Sequence, residues 1–144
     1  MPVLPFESEG QRKAYDRLRP MLEALLPAGI RERIHAIGYV YEVDGTTLTT
    51  TLAPWGDDTI VANRCYLAGA VPVGEAVLRE LARWTEAARF GSYGVDKDDG
   101  VYFEHQLVGS TATRATLGRS IRAAHALAIG RRDEFRSRFG GGDL

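Results

Sequence analysis

Residues 73–108 constrain the fold more than any other stretch. Val73, Val77, Leu81, Trp84 and Ala88 recur at three- and four-residue spacing, which puts them on one face of a helix. Leu78 and Ala82 widen that stripe. Glu75, Arg79, Glu80, Arg83, Glu86 and Arg89 fill the rest of the surface, with Glu75 and Arg79 spaced as an i, i+4 pair. Pro72 suits the first helical turn, and Gly91 suits the left-handed residue just past the helix end. The period then changes to two. After a turn through Asp96–Gly100, Val101, Phe103, His105 and Leu107 alternate with Tyr102, Glu104 and Gln106. A helix therefore feeds directly into a β-hairpin. Asp96 and Asp98 invite a calcium reading, but an EF-hand loop needs Gly at its sixth position and Glu at its twelfth. Here Gly100 is the fifth and Leu107 the twelfth, so the segment reads as a turn built from ordinary turn formers.

The flanking segments extend the same pattern. Ser8 and Gln11 have the form of a capping box, and Tyr15, Leu18, Leu22, Leu25 and Leu26 mark the apolar face of the helix that should follow. Pro20 removes a backbone donor and predicts a kink or restart there. Pro27 and Gly29 end the helix. Residues 33–43 read as a strand with His35, Ile37, Tyr39, Tyr41 and Val43 on one face. Asp44-Gly45 is a two-residue hairpin turn, and Thr46–Leu52 is its β-branched partner. Residues 53–58 read as a loop, and Thr59–Leu67 as a mostly apolar, centrally placed strand. A last helix carries Leu117, Ile121, Ala124 and Ala128, with Phe135 and Phe139 continuing the stripe past Gly130. The order is α-β-β-β-α-β-β-α, an α+β antiparallel sheet packed against helices. The chain of 144 residues reads as one domain, residues 1–144, with a tail that frays from about residue 140.

Composition narrows the chemistry. Cys65 is the single cysteine, which excludes an internal disulfide and a multi-cysteine zinc site; inside an apolar strand it reads as a buried thiol. No signal peptide and no apolar run of membrane length is visible, so the expected location is the cytoplasm. The net charge of −1 gives no global attraction to nucleic acid or membrane. It conceals an asymmetry: residues 111–144 hold seven Arg against Asp133, Glu134 and Asp143. Within them Arg131, Arg132, Arg136 and Arg138 form a candidate phosphate-neutralising patch; the plainer reading is a solvated helix end whose cations match the C-terminal dipole.

No nucleophile elbow, HExxH or P-loop is present, and no catalytic, metal or cofactor site is expected. His35, His105 and His125 have no metal-ligand neighbour at short spacing, and read as structural residues. Tyr39, Tyr41 and Tyr66, with Trp55, are candidates for an aromatic partner-binding patch on one sheet face, set against the alternative that they are ordinary core residues.

The run RFGSYGVDKDDGVYFEHQLV (residues 89–108), between two helices, resembles the YbjN-like proteins, whose fold is that of type III secretion chaperones. The resemblance covers about residues 11 to 129. It implies a bacterial, non-catalytic homodimer of the cytoplasm that binds a client or regulatory protein, chaperone-like or in stress-related regulation. It supplies no catalytic residue. Nucleic-acid association through the arginine-rich helix end is the alternative.

Overall fold

The computed structural model describes residues 4–27, 32–34 and 37–144. Its elements are α1 (Glu9–Leu25), β1 (Glu32–Ile34), β2 (Gly38–Val43), β3 (Thr46–Trp55), β4 (Asp58–Ala68), α2 (Glu75–Ala88), β5 (Ser92–Val95), β6 (Val101–Val108) and α3 (Arg114–Phe139), with a short 3₁₀ turn at Gly109–Thr111. Among the described residues the strands form one six-stranded sheet in the order β1-β2-β3-β4-β6-β5, and every pairing is antiparallel. The expected α+β architecture is therefore present, with one strand more than the sequence pattern shows.

The extra strand comes from a fold-back inside residues 33–43. Glu32 pairs with Val40 and Ile34 with Gly38, so what reads as one strand is a tight hairpin. Gly38 makes room for it, since a Cβ there would meet the Thr50 carbonyl oxygen at 2.7 Å. The expected loop at 53–58 is also mostly strand. Pro54 pairs with Thr59 and Trp55 with Asp58, leaving Gly56-Asp57 as the turn. Pro and Gly suggested a loop, but Pro is tolerated near a strand end. Pro20 does not break α1, which runs through it as one element behind the capping box of Ser8 and Gln11. At the end of α2 the left-handed residue is Arg89 (φ 57°). Gly91 is also left-handed, where a Cβ would meet the Glu104 carbonyl oxygen at 2.2 Å. The Asp96 carboxylate accepts from the Asp98 and Gly100 N–H groups at 2.9 and 2.8 Å, which closes the β5–β6 turn.

Strand alternation sorts the sheet into two unlike faces. In β4, Thr59, Val61, Asn63, Cys65 and Leu67 are buried, while Ile60, Ala62, Arg64 and Tyr66 between them are half-buried. All three helices lie on the first face. Thr59 donates to the Gln11 carbonyl oxygen of α1, Asn63 donates to Ser120 of α3, and Trp84 of α2 meets Tyr93 of β5 edge-on at 5.6 Å. The core between the layers includes Leu18, Leu22, Tyr41, Leu48, Val61, Phe103, Leu117 and Phe135, each fully enclosed. Past α3, Gly142 exchanges two backbone hydrogen bonds with Gly69 (2.7 and 3.1 Å) and Asp143 pairs with Arg136. The tail that its glycines mark for fraying is thus tied at two points.

Candidate protein-binding surfaces

The four aromatic candidates divide between the two faces of the sheet. Tyr39 and Tyr41 point into the core, 5% and 0% exposed. Tyr66 and Trp55 lie on the helix-free face, but eight residues separate Tyr66 from Asp58, the partner of Trp55, or about 26 Å along a strand. They do not form one patch. Trp55 is 59% exposed at the tip of the β3–β4 hairpin, in the same face as Ala53, Ile60 and Val108, which are cross-strand neighbours. Tyr66 belongs to a polar cluster at the other end. Its hydroxyl donates to Asp96 at 2.9 Å. Arg64 pairs with Glu104 at 2.7 Å and lies 3.7 Å from the Tyr102 ring centre. Burial pushes the Asp96 carboxyl up, but the Gly100 and Asp98 N–H groups and the Tyr66 hydroxyl outweigh it and hold the group below its ordinary value.

Tyr41 instead heads a buried polar chain that no sequence motif announces. Its hydroxyl lies 2.8 Å from the Thr50 hydroxyl. Thr50 donates to Asn63 Oδ1 at 2.7 Å, and Asn63 Nδ2 donates to Ser120 Oγ at 2.9 Å. Ser120 Oγ is 2.7 Å from His105 Nδ1. Since Thr50 uses its proton on Asn63, Tyr41 must donate to Thr50. The same sense carried forward has Ser120 donating to a neutral His105, whose ring stacks on Phe90 at 4.0 Å and 8°. Burial lowers the His105 pKa from 6.5 and pushes the Tyr41 hydroxyl up to about 12, so both are neutral near pH 7. Ser120 and His105 are residue types of nucleophilic catalysis, yet the Ser120 hydroxyl has no exposure. The chain satisfies polar groups inside the core, where each orphan would cost about 1–3 kcal/mol. His35 lies outside the described residues. Cys65 is fully enclosed, and burial pushes its thiol up to about 12.

The C-terminal arginines are committed within the fold. Arg131 lies 4.7 Å from the Trp84 ring centre and pairs with Glu134. Arg132 donates to Thr46 Oγ1 and Arg136 to the Leu67 carbonyl oxygen. Arg138 pairs with both Glu80 and Glu134. These contacts fasten α3 to α2 and to the sheet.

Two other surfaces face outward. The β5 edge is four residues long, and the outward Tyr93 N–H is already taken by Thr85 Oγ1 of α2 at 2.9 Å, which blunts the edge against strand addition. On α2, Leu78 is 53% exposed. The second surface is an apolar groove of about 410 Å³ lined by Leu25, Leu26 and Pro27 after α1, Tyr41 and Val43 of β2, and Ile121, Arg122 and His125 of α3. That volume lies within the range of ligand pockets. His125 Nε2 is buried without a hydrogen-bond partner. Among the described residues no group of three or more His, Cys, Asp or Glu side chains is placed to hold a metal ion, and no helix is long and apolar enough to cross a membrane.

Residues 64–137, just over half the chain, match the YbjN family model, described as "putative bacterial sensory transduction regulator". Solved structures share the fold. A chain of the HopA1–SchA chaperone–effector complex aligns with TM-score 0.59 and 15% identity, covering 83% of this chain and 94% of that one. The Yersinia pestis type III secretion chaperone SycH, solved with a fragment of YscM2, gives 0.53 and 15%, covering 81% and 98%. Escherichia coli YbjN, described as a "putative transcription regulator", gives 0.56 and 13%, covering 86% and 93%. No curated protein sequence matches the chain.

Proposed function

The chain belongs to the YbjN family, and on that footing we propose that it is a non-catalytic protein-binding module. It acts as a cytoplasmic homodimer, chaperone-like or as a regulatory adaptor, and its partner is another polypeptide. The observation that carries this reading is the distribution of surface. The helices cover one sheet face only, while an apolar groove, Leu78 and Trp55 remain open to solvent. A contiguous apolar groove left open to solvent is a feature of interaction sites. The fold shared with chains from a chaperone–effector complex and from a chaperone–fragment complex supports the same direction.

In this reading the dimer forms across the outward side of α2, where Leu78 is exposed, and the partner occupies the groove and the open sheet face. The test is capture of the tagged protein from native bacterial lysate after nuclease treatment, with sedimentation equilibrium of the pure protein. A stoichiometric polypeptide partner on a dimer supports the proposal. A monomer at micromolar concentration removes the dimer, and recovery of nucleic acid alone removes the adaptor reading.

A further inference from the structure

Arg122 and His125 stand three residues apart on α3 and both line the apolar groove; His125 Nε2 is buried without a hydrogen-bond partner, and Arg122 forms no ion pair among the described residues. Arg131, Arg132, Arg136 and Arg138 are each tied to an acid, a hydroxyl or a backbone carbonyl. The Arg122 guanidinium lies back over Gly118, within 3.1 Å of where a Cβ would stand, and Leu25 abuts the same spot. Arg122 is itself exposed, so the cation stands at the solvent-facing rim of the groove beside the α1–α3 seam. The remaining walls, Leu25, Leu26, Val43 and Ile121, are apolar. Tyr41 adds only its ring, because its hydroxyl is spent on Thr50.

We infer that the groove seats one bulky apolar side chain of a bound polypeptide whose neighbouring residue is Asp or Glu, its carboxylate received by Arg122 and His125. Apolar walls specify the anchor. A guanidinium without an acid, next to an imidazole nitrogen without a partner, specifies an anionic acceptor. The groove is open along one side, so its occupant stays joined to a longer chain outside. This inference rests on the protein-binding reading and names the chemistry of the partner.

The test is selection of a phage-displayed random dodecapeptide library on the immobilised full chain, followed by fluorescence anisotropy with the enriched peptides. Enriched sequences should carry a large apolar residue beside Asp or Glu, and replacing that carboxylate by its amide should weaken binding roughly tenfold. R122Q should abolish the difference while leaving the amide peptide unchanged. V43W, which fills the groove, should weaken both peptides; I121E serves if V43W does not fold by circular dichroism. Enrichment without an acidic preference, equal binding to R122Q and wild type, binding indifferent to a filled groove, or no enrichment would each overturn the inference. A natural partner held stoichiometrically yet insensitive to R122Q and V43W would leave the protein-binding reading standing and remove this groove from it.

Discussion

Asn63 is used at both ends: Oδ1 accepts from Thr50, and Nδ2 donates to Ser120. Removing it orphans a donor on one side and an acceptor on the other, both fully buried. Asn63→Ala should therefore lower stability by roughly 2–5 kcal/mol, against about 1–3 for Ser120→Ala, in urea denaturation. His105 closes the chain and makes stability depend on pH. Burial holds its imidazole below 6.5 in the folded protein, so the unfolded chain binds the proton more readily. The contribution is fully present above about 6.5, and is lost as pH falls through that value toward the lower folded pKa. The urea midpoint should fall between pH 7.5 and 5.5, and His105→Gln should flatten that dependence; an identical slope in the variant would refute the assignment. Cys65, enclosed and with its thiol pushed up to about 12, should react with a disulfide reagent only as fast as the protein opens. Among residues, the sequence made the thiol and the turn aspartates readable, because burial in an apolar run and turn chemistry are local. It could not show the Tyr41–His105 chain, whose members come from β2, β3, β4, α3 and β6.

At the scale of elements, α2 and the hairpin after it were readable because a change of period is a local signal. The β1–β2 fold-back was not, since a nine-residue hairpin (residues 32–40) set into an alternating run leaves the alternation intact. The junction of α2 with β5 depends on Gly91, left-handed and in close contact with the β6 backbone. Gly91→Ala should strain both dihedral and contact and lower the thermal midpoint; an unchanged midpoint would show that the junction relaxes freely. Phe135 secures the other side of α2. It is fully buried, meets Trp84 edge-on at 6.2 Å and Phe139 at 5.1 Å. Phe135→Ala should cost about 3–5 kcal/mol, and with Arg131 on the same Trp84 ring the loss should appear first as faster hydrogen exchange in α2.

For the molecule as a whole, the helices share one face of the sheet, so the surfaces left for partners follow from the layer arrangement more than from any motif. That is why Tyr39 and Tyr41, whose alternation matched a surface patch, are core residues. Alternation says which residues share a face, but only the position of the helices says which face is covered. If α2 forms the dimer seam, Leu78→Asp should shift the protein to monomer in sedimentation equilibrium with an unchanged circular dichroism spectrum; a persisting dimer would place the seam elsewhere.

The strand order also has a kinetic meaning. β4 joins two halves: toward β3 it closes a hairpin with a two-residue turn, and toward β6 it pairs Ile60 with Val108 and Ala68 with Val101 across the whole of α2 and β5. Loop closure of that span is entropically dearer than a tight turn. Folding should therefore assemble β2–β4 early and stitch β6 onto β4 late. Destabilising changes at that late seam would then mainly speed unfolding and leave the refolding rate nearly untouched.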